Sequence, residues 1–127
     1  MIIDHIKALE IIIKHRSTKL SFGVVGSHNG IHPSTVDKIL DSYKPYIERV
    51  VSGGANGVDT LAEYWAQEYN IPTLIHYPRE NTRNIHKNYV ERNGFIARDS
   101  DVLIIFIPTD RYASGAWNTL RQFLDMR

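Results

Sequence analysis

The segment Ser52-Gly53-Gly54-Ala55-Asn56-Gly57-Val58-Asp59 sets three glycines immediately before an apolar-periodic run. Glycine lets the backbone turn sharply and approach a ligand with no Cβ in the way. A helix opening there presents unpaired N–H groups and a partial positive charge, which suit a phosphate. The predicted cradle is the backbone of Ser52, Gly53, Gly54, Ala55, Asn56 and Gly57. The pattern is not G-x-G-x-x-G and lacks the lysine of a P-loop. Glycines at such a turn also serve close packing alone, and both readings stand. Asp59 falls in the first helical turn, where it either stabilises the helix dipole or accepts hydrogen bonds from a sugar or base. Asp59 and Glu63 are the candidate catalytic carboxylates in these motifs.

Three further stretches add polar groups. Arg79, Arg83, Lys87, Arg92 and Arg98 gather within twenty residues against Glu80 and Glu91, with His76 and His86 nearby. Arg92-Asn93 pairs a guanidinium fork for phosphate with an amide for ribose or base. Lys87 and Arg98 read as a solvated basic face. Downstream, Ser114, Gly115, Asn118 and Thr119 surround another helix start and can donate to phosphate oxygens. Trp117 among them either stacks on a base or packs. Upstream, Gly26-Ser27-His28-Asn29 follows an apolar run; Gly26, Ser27 and Asn29 are placed to touch a ligand. His28 reads as a base near neutrality or as polar surface. The six histidines lack the paired spacing of a metal motif, so no metal and no cofactor are expected.

The elements that position these stretches follow from apolar periodicity. Apolar strands are predicted at 21–26, 49–52, 73–77 and 102–107, and the last, Val102 to Ile107, should be buried on both faces. Helices are predicted at 34–46, capped by Ser34 or Thr35 and ended by Pro45, at 58–69, at 84–98 with Gly94 weakening the middle, and at 115–126. Residues 2–15 form an amphipathic pattern rich in isoleucine, read as an N-terminal helix over 1–18 that packs on the domain or on another subunit. The chain of 127 residues is read as a single domain, 1–127, with its core at 20–127. Strand alternating with helix implies an α/β, Rossmann-like three-layer fold: a mostly parallel sheet of four or five strands plus the extra helix. Such sheets bind ligands beyond the carboxyl ends of their strands, where every distinctive stretch here falls.

Composition narrows the class. The net charge is +1, so any attraction for phosphate must be local. With no cysteine, the chain has no disulfide framework, thiolate metal site or cysteine nucleophile. No run of about 18 apolar residues appears, so no membrane partner is expected. No signal peptide is recognised, and a cytoplasmic location is expected.

The motifs resemble the SLOG superfamily, especially its YspA/YpsA-related branch, over about residues 20–120. The resemblance rests on GVVGS at 23–27, VVSGGANGVDTLAEYWA at 50–66, Arg92-Asn93 with Ile96-Ala97, Asp101 opening the fourth strand, and SGAWNT at 114–119. It implies a Rossmann-like fold that binds nucleotides or their derivatives and commonly self-associates. Relatives include the lonely-guy phosphoribohydrolases and the DNA-processing protein A group. The phosphoribohydrolases' P-G-G-x-G-T-x-x-E reads S-G-A-W-N-T-L-R-Q here, so their catalytic glutamate falls on Gln122, which supplies no carboxylate. Three functions follow as expectations. The first is a nucleotide-binding sensor or module with a phosphate-binding loop, acting as a homo-oligomer. The second is a hydrolase cleaving an N-glycosidic or phosphate bond. The third is a single-stranded nucleic-acid binder, stacking bases on Tyr77, Tyr89 and Trp117.

Overall fold

The computed structural model describes residues 19–80, 83–108 and 114–127; at 114 only the backbone is described. The predicted N-terminal helix lies outside these residues. Among the described residues, four strands, β1 (Leu20–Gly26), β2 (Ile47–Ser52), β3 (Thr73–Ile75) and β4 (Val102–Phe106), alternate with four α-helices. These are α1 (Pro33–Tyr43), α2 (Val58–Glu68), α3 (Ile85–Asp99) and α4 (Ser114–Asp125). The sheet is parallel throughout, in the order β3-β2-β1-β4.

Side-chain alternation along the central strands sorts the helices into two layers. Phe22, Val24 and Val50 pack with Val36 and Leu40 of α1 and Val58, Ala62 and Trp65 of α2. Val25 and Val51 point the other way, against Ile96 of α3 and Ala116 of α4. Each strand residue is therefore committed to one helical layer, which is why these strands read as unbroken apolar runs. The Trp65 indole N–H donates to Asp41 Oδ1 at 2.9 Å, which satisfies the one polar atom of a buried ring.

Local chemistry sets the boundaries. α1 begins earlier than predicted, because His32 caps it by accepting from the Ser34 N–H at 3.1 Å, and Pro33 occupies the first turn. It also ends earlier: Tyr43 is its last residue, and Lys44–Tyr46 forms a 3-10 turn through Pro45. β3 stops at Ile75, two residues short of the predicted end. α3 continues through Gly94, capped by Asn84, whose side chain accepts from the Lys87 N–H at 3.2 Å. A Cβ on Gly94 would lie 2.7 Å from Gln122 Oε1, so the missing side chain lets α4 pack against α3. Asp101 pins the far end of the sheet: its carboxylate accepts from Ser21 N–H at 2.9 Å, and its own N–H donates to Ser21 O at 2.8 Å.

β1, β2 and β3 progress in one direction through α1 and α2. The chain then crosses back to place β4 on the other side of β1. This reversal opens a crevice between the carboxyl ends of β1 and β4, the place where parallel α/β sheets receive ligands.

Candidate functional site

Two cavities meet at that crevice. The inner one, of about 310 Å³, is bounded by Gly26 to Asn29 after β1, Ala55 and Asp59 after β2, Arg92 and Asn93 of α3, and Gly115 and Thr119 of α4. The outer one, of about 690 Å³, is bounded by Gly53 to Asn56, by His86, Tyr89 and Arg92 of α3, and by Trp117, Asn118 and Arg121 of α4. His28, Ala55, Arg92, Asn93 and Gly115 belong to both walls. The four sequence stretches thus converge on one two-part cleft.

The glycine turn depends on two left-handed residues, Gly54 at φ 68° and Gly57 at φ 90°. Side chains rarely adopt these angles. A Cβ on Gly57 would collide with the backbone oxygens of Ser27 and His28, and one on Gly54 with the Tyr77 ring. Glycine is therefore required here by the fold as well as by any ligand. Ala55 N–H donates to Asp59 Oδ2 at 3.2 Å, and the Gly53 N–H also faces that carboxylate. The Gly54 N–H faces Glu63, which also accepts from Ser52 Oγ at 2.5 Å. Three of the donors expected for phosphate are turned onto the protein's own carboxylates.

Asp59 is 7% exposed. Burial pushes its carboxyl up from 3.8 to about 6; Glu63 adds to the rise, while Ala55 N–H, the Arg92 guanidinium and Gly53 N–H oppose it. Glu63 is also raised, again by burial, against the pull of the Ser52 hydroxyl and Gly54 N–H. Glu63 lies away from the cleft, lining a separate groove beside β3 with Tyr64, Thr73 and Ile75. Of the two carboxylates predicted to be catalytic, the cleft contains Asp59.

Arg92 reaches across from α3. Its Nη1 donates to Gly53 O at 2.5 Å, and its Nε donates to Asn93 Oδ1 at 3.0 Å. Burial lowers its pKa, opposed by Asp59, yet a guanidinium so placed stays charged. Asn93 is buried and donates to Asn118 Oδ1 at 3.2 Å and Gly115 O at 3.4 Å. Gln122 Nε2 donates to the same Asn118 oxygen at 2.8 Å and to Val90 O at 2.9 Å. One chain of hydrogen bonds therefore runs from the glycine turn through α3 to α4. It aims Arg92 and sets the spacing of the cleft walls, using the Asn93 amide expected at a ribose or base and the Asn118 amide expected at a phosphate.

The other predicted residues divide in the same way. Ser27 Oγ donates to Asn29 O and shapes the turn after β1, while Thr119 Oγ1 donates to Gly115 O at 3.0 Å within its helix. Gly26 fits tightly against Phe106 and Val58. Asn56 is exposed at the outer rim. The Ser114 side chain lies outside what is described. Sequence reasoning missed Arg121, although its place four residues after Trp117 puts both on one helix face. Trp117 is 43% and Tyr89 45% exposed, so both rings are open to contact, with the Arg92 guanidinium 5.4 Å from the Tyr89 ring centre. Among the described residues, no cluster of three or more His, Cys, Asp or Glu could hold a metal ion, and no helix is long and apolar enough to cross a membrane.

The fold has a solved counterpart. The chain is similar to the X-ray structure of DNA processing protein A (DprA) from Streptococcus pneumoniae, with a TM-score of 0.68 at 18% identity. The match covers 86% of this chain and 48% of that one, so this chain spans about half its length. At that identity the likeness establishes the Rossmann-like fold. No family model matches the sequence, and no curated protein matches it.

Proposed function

We propose that this chain is a binding module for a nucleotide-type ligand held in the two-part cleft. One observation carries this reading: Arg92 stands in the wall of both cavities, at the crevice between β1 and β4, held there by Gly53 O and Asn93. A fixed guanidinium beside exposed aromatic rings suits a phosphate joined to a base. The base rests against Trp117 and Tyr89, and the phosphate is neutralised by Arg92 with Arg121. Binding without turnover fits Gln122, whose amide is spent joining α3 to α4 at the position of the phosphoribohydrolase glutamate.

Calorimetric titration with nucleoside mono- and diphosphates tests the reading. Arg92→Ala should weaken binding at least tenfold, since a charge-assisted hydrogen bond contributes roughly 1.5–3 kcal/mol. Unchanged affinity in this variant, or no binding of any nucleotide by the wild type, overturns the proposal. Oligonucleotides belong in the same titration. Tighter, steeply salt-dependent binding of single strands would transfer the cleft to nucleic acid.

A further inference from the structure

The two cavities differ in charge, and this difference orients the ligand. Among the described residues, the inner cavity is lined by Asp59 as its one carboxylate, facing the Arg92 it shares with the outer cavity. The outer cavity, among the described residues, is lined by no carboxylate and by Arg92, Arg121 and His86. A phosphate pushed into the inner cavity would meet a buried carboxylate, and like charges in a poorly solvated site repel strongly. The backbone donors that could offset the repulsion, Gly53 and Ala55 N–H, already face Asp59. A neutral group rich in hydroxyls meets none of these costs. Its O–H groups donate to Asp59, forming charge-assisted hydrogen bonds. At about 310 Å³ the inner cavity is at the small end of ligand sites and suits one ring-sized group rather than a whole nucleotide.

We infer that the inner cavity is a sugar subsite, with the phosphates outside it at Arg92 and Arg121 and the base at Trp117 and Tyr89. The ligand class is a nucleoside diphosphate sugar: aromatic base outermost, diphosphate at the shared wall, terminal sugar innermost. This inference rests on the nucleotide reading above and adds the direction in which the ligand lies.

The test is paired calorimetry on the whole chain, comparing ADP-ribose with ADP, UDP-glucose with UDP and GDP-mannose with GDP. In at least one pair the diphosphate sugar should bind at least tenfold more tightly than its parent. Asp59→Asn should shrink that gap by about tenfold, because a neutral amide oxygen accepts a hydroxyl more weakly than a carboxylate. The parent diphosphate should keep its affinity or gain, which also shows that the variant is folded. Parents binding as well as their sugars in all three pairs overturns the sugar subsite and leaves the nucleotide reading standing. A gap that survives Asp59→Asn unchanged removes the sugar from the Asp59 cavity. If neither member of any pair binds, the nucleotide reading falls and takes this inference with it.

Discussion

Replacing Asp59 by asparagine should stabilise the folded protein at neutral pH, although it deletes an acceptor from a hydrogen-bonded turn. The carboxyl is pushed up from 3.8 to about 6, chiefly by burial. Between those values the folded state keeps a proton that the unfolded chain has released. Stability contributed by Asp59 is therefore whole below about pH 4, falls as pH rises through about 6, and is flat beyond. At 1.36 kcal/mol per unit, the loss at pH 7 is about 3 kcal/mol. Asparagine keeps an oxygen to accept from Ala55 N–H but carries no charge at any pH. Urea unfolding of both proteins between pH 4 and pH 8 measures the difference directly. The two stabilities should nearly coincide at pH 4, and the variant should lead by up to about 3 kcal/mol at pH 7, or roughly 10 °C in Tm for a domain of this size. Other titrating groups cancel in the comparison. A stability difference constant across the range would refute the reasoning, because it would show that Asp59 does not titrate in this window.

Three other outcomes follow from the geometry. Gly57→Ala should cost about 1–3 kcal/mol in urea unfolding, since a Cβ there is strained at φ 90° and meets the backbone of Ser27 and His28; an unchanged midpoint would mean the turn is not held as described. Gln122→Glu should lose about 2 kcal/mol of stability at pH 7, because a carboxylate would face Val90 O and Asn118 Oδ1 where an N–H donor now stands. It should also yield no nucleoside cleavage by chromatography, and release of free base would contradict the structural role of that position. Trp117→Ala should weaken nucleotide binding about tenfold while leaving the melting temperature within a few degrees, the effect of losing one stacked base on an exposed ring; equal affinity would move the base elsewhere.

Much of the fold could be read from the chain because it is written in local patterns. Leu20–Gly26 is a strand buried by helices on both sides, and an apolar run without alternation is what that environment requires. Val102–Phe106 reads the same way but is the edge strand of the described sheet, so it is only half-buried up to Phe106 rather than buried on both faces as expected. The stripe Val58, Ala62, Trp65 and Ala66 sits at helical spacing and is buried as a set. Boundaries were less legible where a rarer device acted. His32 is an unusual cap, so the helix start was placed at Ser34 or Thr35. Gly94, a helix weakener in isolation, sits where α4 comes close enough to need no side chain.

The sequence by itself determined the parallel α/β architecture and the convergence of its polar stretches on one edge, because strand direction sends every following loop to the same side of the sheet. It also determined that Gly54 and Gly57 open a turn. Only the tertiary structure decided what that turn holds. Hydrogen-bond direction depends on backbone angles and on residues distant in the chain, so the aim of the Gly53 and Ala55 N–H groups at Asp59 was invisible to spacing. The same is true of Arg92, fastened to Gly53 O from another helix, and of Asn93, Asn118 and Gln122, joined to one another rather than offered to a ligand. Burial, which raises the pKa of Asp59, is a property of the packed molecule, and it sets a buried carboxylate in the wall of the cleft that the glycine turn borders.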